Sequence, residues 1–205
     1  LAILDGNLTL SLPLDISIST VMDALSHSFE SIWNKKANHT STDFAITAIC
    51  SILENGPALK ENPDDLDTRN NLLKAATVAG LAFSNTTTAA AHSMSYPLTI
   101  HYGMPHGVAS SISLIPLLEI NGKLIKEPLD RICNNNELTY DELKETIKAI
   151  PQGVIPYTLD KWGIPENQLT KLAAESFTKG RMDNNVVDLT TNDVLGILKE
   201  LYSEQ

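Results

Sequence analysis

In the segment VMDALSHSFE, Asp23 and His27 stand four residues apart. On a helix that spacing brings the two side chains together on one face. A carboxylate beside an imidazole is then a chelating pair for a divalent ion, by the geometry that places two histidines in HExxH sites. Farther along, AAAHSMSYPLTIHYGMPHG gathers His92, His101 and His106 into residues 89–107 of a chain with 5 histidines in all. His92 lies in a run of small residues, which lets helices approach closely and leaves room for a ligand. His106 lies in GMPHG at a loop-to-helix junction, where glycine permits close backbone approach. One aspartate and three histidines form a donor set suited to Fe2+, Zn2+, Co2+ or Ni2+. A plainer reading stands beside this one: an Asp23–His27 hydrogen bond on a helix surface, with the later histidines packed as satisfied core residues. His101, four residues beyond Pro97, is a candidate proton shuttle or anion contact, against simple exposure in a loop. His39, in KKANHTSTD, reads as a solvated loop residue.

These residues need helices to hold them, and almost everything after Pro13 has helical period. Leu1 to Asp5 reads as a strand or the end of one. Ser19 or Thr20 is expected to cap a helix through Val21, Leu25, Ile32 and Trp33. Ser41 or Thr42 opens a second, ended or bent near Gly56-Pro57, and Asp67 a third. The fourth covers TTAAAHSMSYPL, with Pro97 forcing a kink or a stop. Pro105 suits the first turn of a helix closing at Gly122. Thr139 and Glu142 form a capping box, Pro165 or Asn167 precedes QLTKLAAESFTKG, and Thr191 precedes the last helix. Glu127 to Asn136 reads as an irregular loop. The expected fold is an all-α, multi-helix bundle-like domain of seven to nine helices at residues 16–205, behind a leader at 1–15.

The chain has 205 residues, 42% of them hydrophobic, enough for a substantial core. Its 15 basic and 25 acidic residues give a net charge of −10, which argues against a nucleic-acid partner. The two cysteines, Cys50 and Cys133, are isolated and form no CxxC pair, which points away from thiolate zinc and toward a reduced, cytoplasmic setting. No apolar run reaches the roughly 18 residues of a membrane span, so a soluble protein without a membrane partner is expected.

MDALSHSFES, AGLAFSN at 79–85 and AAAHSMSYPLTIHYGMPHGVA at 89–109 resemble the iron-containing, group III alcohol dehydrogenases. The resemblance covers that family's helical C-terminal half, in a dehydroquinate synthase-like fold. Carried over position by position, it implies one divalent metal held by Asp23, His27, His92 and His106. Iron is the family's common metal, with Zn2+, Ni2+ or Co2+ also compatible. His101 is left outside the ligand set. Many members place a second histidine four residues after the third ligand, in a proton-transfer role; this chain has Tyr96 there, which becomes the candidate catalytic residue. The combination of AHSMSYPLT with the PHG loop most resembles the branch acting on phosphonoacetaldehyde.

The resemblance further implies an NAD(P)-dependent alcohol dehydrogenase or aldehyde reductase, with Lewis-acid assistance at the carbonyl or alkoxide oxygen during hydride transfer. The ten glycines are scattered and form no GxGxxG or GGGS-like turn, so no cofactor-binding residue is assigned. Together with an opening LAILDGNLTLSLP that lacks methionine, this implies a preceding nucleotide-binding domain and an intact enzyme that is a homo-oligomer. Two competing classes remain: a metal-dependent hydrolase or oxygenase, and a non-catalytic helical interaction module.

Overall fold

The computed structural model describes residues 2–203. Ten α-helices account for most of them: α1 (Leu14–Ile32), α2 (His39–Glu61), α3 (Leu66–Phe83), α4 (Ala90–Tyr102), α5 (His106–Ser111), α6 (Leu114–Asn121), α7 (Lys126–Asn135), α8 (Tyr140–Ala149), α9 (Leu169–Glu175) and α10 (Thr191–Glu200). The fold is all-α. Among the described residues the only β-type pairing is an isolated bridge between Asn34 and Asn185.

Helix α1 is the centre of the domain. Ile18, Met22, Leu25, Phe29 and Ile32 recur at three- and four-residue steps and are all buried. Its other faces carry small serines, and Ser19, Ser26, Ser28 and Ser31 are buried as well. Short side chains on those faces let α2, α3 and α5 pack around it. Each buried hydroxyl needs a partner: Ser28 and Ser31 donate back to the carbonyls of Ala24 and His27, and Ser26 donates across to the carbonyl of Ser110 in α5, 2.7 Å away. Burying a side chain such as Phe29 or Leu25 contributes about 1.5–3 kcal/mol, so α1 anchors the core and cannot shift without disturbing its neighbours.

Several boundaries differ from the sequence expectations. Helix α1 starts at Leu14, directly after Pro13, so Ser19 and Thr20 lie inside it and cap nothing. Helix α2 is capped by Asn38, with Ser41 closing the capping box, and α3 by Asp65. Both helices thus begin a few residues early, because the short polar side chains just upstream reach the free N–H groups first. Pro57 lies inside α2 and Pro97 inside α4, which runs on to Tyr102 and stops at Gly103 in the left-handed conformation (φ 65°). The helix expected to end at Gly122 is broken at Ile112-Ser113 into α5 and α6.

Two expectations are overturned. Lys126–Asn135 is helical, with Leu129 and Ile132 buried and ion pairs Lys126–Asp130 and Arg131–Glu127 along its surface. Its narrow apolar stripe is hidden among polar residues. Ala2–Asp5 forms no strand, since no partner strand lies beside it to take its backbone hydrogen bonds; instead Asp5 caps a 3-10 turn at Gly6–Thr9. Leu1, the rest of that expected strand, lies outside the described residues. The capping box of Thr139 and Glu142 is present, and Thr190 with Asp193 forms another at α10. No single helix among the described residues is long and apolar enough to cross a membrane.

Candidate metal centre

Helices α1, α4 and α5 meet around Asp23. Asp23 and His27 share a face of α1, with His27 Nε2 3.6 Å from Asp23 Oδ2. From α4, His92 Nε2 comes within 3.5 Å of Asp23 Oδ1, and from the start of α5 His106 Nε2 comes within 3.8 Å of the same oxygen. Three imidazoles thus turn the same nitrogen toward one carboxylate. Asp23, His27 and His92 each offer a ligand atom within 4.8 Å of the others. His106 closes the group from the solvent side, its side chain 47% exposed against 3% for His92.

The sequence fixes these positions locally. Ser110, one turn after His106, donates to Asp23 Oδ1 at 2.7 Å and orients the carboxylate. Gly107 lies against α1: a Cβ there would stand 2.0 Å from the carbonyl oxygen of Ser19. Only glycine lets α5 come near enough for His106 to reach the cluster. His27 is stacked between Phe83 from the end of α3, ring centroids 4.3 Å apart, and His92, 4.2 Å apart.

Glu30 supplies the strongest constraint. It is fully buried one turn beyond His27, and its Oε2 lies 2.7 Å from His92 Nδ1 while its Oε1 accepts the backbone N–H of His92 at 3.0 Å. A carboxylate on Nδ1 sets the tautomer and ring angle of a ligating histidine and raises its basicity. It also frees Nε2, which is buried and makes no hydrogen bond. Burial pushes the Glu30 carboxyl up, but the facing imidazole and the N–H groups of Ala89 and His92 outweigh it and hold it below its ordinary range. Burial likewise pushes Asp23 up, and His27, His92 and Ser110 outweigh it and keep it ionised. Burial lowers His92, yet the charges of Glu30 and Asp23 leave it pushed up to about 9. His106 is held below its usual value, chiefly by burial, and so offers a neutral ring.

These residues fit a divalent cation. Two buried carboxylates demand compensating positive charge, and a divalent cation supplies it in place of the proton that His92, pushed up to about 9, otherwise holds. Ligand atoms about 2.1 Å from a shared ion at tetrahedral angles stand roughly 3.4 Å apart. The 3.5–3.8 Å separations between the imidazoles and Asp23 are of that order and too long for hydrogen bonds. The orphaned Nε2 of His92 points at the same place.

The remaining candidates lie around this group. Tyr96 stands one turn after His92 on α4, half-buried, with the Arg181 guanidinium 5.6 Å from its ring centroid. His101 is paired elsewhere, its Nε2 2.7 Å from Glu175 on α9, and His39 is exposed at the start of α2. Glu30, Ser110, Phe83 and Arg181 were not singled out from the sequence. Glu30 had a legible signal, since Asp23, His27 and Glu30 follow at steps of four and three on one face. Ser110 had a similar signal, four residues after His106, whereas Phe83 and Arg181 come to their partners only through tertiary packing.

Residues 17–202 match the family described as Fe-containing alcohol dehydrogenase family, C-terminal. The chain is 28% identical to long-chain-alcohol dehydrogenase 1 of Geobacillus thermodenitrificans over 192 residues, 88% of this chain and 48% of that protein. Among solved structures, a 1,3-propanediol oxidoreductase superposes with a TM-score of 0.86 at 26% identity, covering 97% of this chain and 55% of the other. The sulfoacetaldehyde reductase of Bifidobacterium kashiwanohense, solved with NAD+, superposes at 0.80 with 26% identity, covering 98% and 54%. The chain spans about half the length of the relatives it matches. With that match running through every helix but the first residues of α1, the chain belongs to the Fe-containing alcohol dehydrogenase family and corresponds to its C-terminal region.

Proposed function

We propose that this chain is the metal-binding half of an NAD(P)-dependent alcohol dehydrogenase or aldehyde reductase. The observation that carries the reading is the convergence of three Nε2 atoms on Asp23, with His92 aimed by buried Glu30. When bound, a divalent metal, Fe2+ before Zn2+, Ni2+ or Co2+, supplies Lewis-acid polarisation of the carbonyl or alcohol oxygen, and the nicotinamide carries the hydride.

The chain's own residues do the rest. Asp23 neutralises part of the ion's charge, and His27, His92 and His106 add none. Phe83 and the buried alanines beside His92 keep bulk water from one side of the group, while the exposed flank of His106 leaves the other open. Tyr96 stays protonated at neutral pH, because burial pushes its phenol up more than Arg181 draws it down. It therefore serves as a hydrogen-bond donor near the reacting oxygen and not as a base.

The intact enzyme, on this reading, pairs this half with a nucleotide-binding domain, works in the cytoplasm and is a homo-oligomer. The likeness to an enzyme named for sulfoacetaldehyde supports the finer reading of a small anionic aldehyde such as phosphonoacetaldehyde. Elemental analysis tests the core of the proposal: about one divalent ion per chain is expected, with D23A and H92A each losing ~10–100-fold or more in affinity. An ion-free wild-type chain, after exposure to Fe2+ and Zn2+, would falsify it. The 205-residue chain alone is expected to turn over no aldehyde with NAD(P)H, whereas a chain that includes the nucleotide-binding half does.

A further inference from the structure

Two of the chain's three arginines have their donors engaged. Arg131 pairs with Asp43 and Glu127 on the surface. Arg69 is 4% exposed and donates to the carbonyls of Pro63 and Thr9, tying the leader to α3. Arg181 is different. Its Nη1 donates to the hydroxyl of Thr88, its guanidinium carbon lies 5.6 Å from the Tyr96 ring centroid, and it forms no ion pair among the described residues. A guanidinium has five N–H donors, and among the described residues only one of these is used. In a chain with 25 acidic residues, a half-buried guanidinium facing no carboxylate points to an anion from outside.

Its location selects which anion. Tyr96 lies one turn from His92, and residues four apart share a helix face, so the guanidinium over the Tyr96 ring stands on the side of α4 that carries His92. The loop carrying it is fixed from both ends. Asn184 donates to Thr87 Oγ1 and to the carbonyls of Thr88 and Gly180, and Ser93 on α4 donates to the carbonyl of Ser176 while accepting the N–H of Thr178. A fork held this firmly suits a planar or tetrahedral oxyanion and loses little freedom on binding it.

We propose that Arg181, backed by Tyr96, is a specificity-determining residue that binds the anionic end (phosphonate, sulfonate or carboxylate) of a small aldehyde or alcohol whose other end reaches the metal group. This rests on the dehydrogenase reading above and names its substrate class. A neutral alkyl alcohol leaves the guanidinium without a partner and binds more weakly.

The test titrates 2-hydroxyethylphosphonate calorimetrically into the 205-residue chain, with and without Zn2+, for wild type, R181Q, R181K and R131Q. R181Q is expected to bind at least about ten-fold more weakly than wild type, with R181K intermediate because it keeps the charge and loses the fork. R131Q is expected to match wild type. Circular dichroism checks folding, and should R181Q not fold, R181K decides on a loss of about three-fold or more. No binding by wild type, or equal binding by the Arg181 variants, overturns the proposal. So does a loss confined to a parallel titration with ADP-ribose, since the oxyanion served is then the nucleotide's. Zinc content of the same samples keeps the two readings apart: Arg181-dependent binding without metal uptake sinks the dehydrogenase reading and leaves only the anion contact, and metal uptake without Arg181-dependent binding sinks this proposal alone.

Discussion

At the scale of single residues, Glu30 sets the quality of the site, although its side chain faces the donor group only through His92. Its two oxygens hold the ring and the backbone of His92 at 2.7 and 3.0 Å in a fully buried setting. Replacing it by glutamine keeps an acceptor for Nδ1 but removes the charge that makes the imidazole a strong donor. E30Q is expected to fold and to bind Zn2+ about 10–100-fold more weakly, read by competition with a chromophoric chelator. E30A also strands a buried imidazole and costs a further 1–3 kcal/mol of stability. His101→Ala, which breaks only an exposed contact with Glu175, is expected to leave zinc affinity unchanged. A residue's sequence neighbours made Asp23 and His27 legible as a pair, and the two later histidines as candidates. Nothing local to Arg181 or Phe83 announced a meeting with α4 or α1, because pairs such as His27–Phe83 and Tyr96–Arg181, far apart in sequence, are brought together only by the core.

At the scale of elements, the seat of α5 on α1 decides where His106 lies. Gly107→Ala places a carbon 2.0 Å from the Ser19 carbonyl, which is backbone and cannot yield cheaply. The expected cost is about 1–3 kcal/mol, seen as a lower thermal midpoint, with metal affinity falling alongside because His106 is carried away with its helix. The helix caps give a separate prediction in pH. Glu142 and Asp193 are hydrogen-bonded to Thr139 and Thr190, and those bonds hold both carboxyls below their ordinary ranges. A depressed folded-state value means the caps contribute in full above the unfolded values, 4.5 for Glu142 and 3.8 for Asp193, and are lost as pH falls through the folded ones. NMR titration of the side-chain carboxyls is expected to show midpoints under those values, and T139A to bring Glu142 back toward 4.5. The Thr139–Glu142 cap was legible as a threonine and an acid three apart, whereas at α10 the sequence reading placed Thr191 before the helix and the cap is Thr190 with Asp193. The helical reading failed at α7, a ten-residue element in which only Leu129 and Ile132 are buried.

At the scale of the whole molecule, the all-α architecture followed from periodicity sustained along the chain, and its C-terminal family region from motifs in fixed order. Which helices touch which was not legible, since the serine-lined faces of α1 look polar in sequence and serve in the fold as contact surfaces. The assembled domain predicts a thermal response to metal. Ligand binding to the folded state alone stabilises by about 2.7 kcal/mol at 100 times Kd, which for a domain of this size raises Tm by about 5–10 °C. Scanning calorimetry with and without chelator checks this, and H92A is expected to show no shift. Finally, the donors of the group come from residues 23, 27, 92 and 106, all in α1, α4 and α5, while α7 to α10 contribute none. An ion there acts as a rivet between α1, α4 and α5, closing a long loop that contains α2 and α3. Amide hydrogen exchange is therefore expected to speed up across the first five helices when the ion is stripped, with the protection of α7 and α8 little altered.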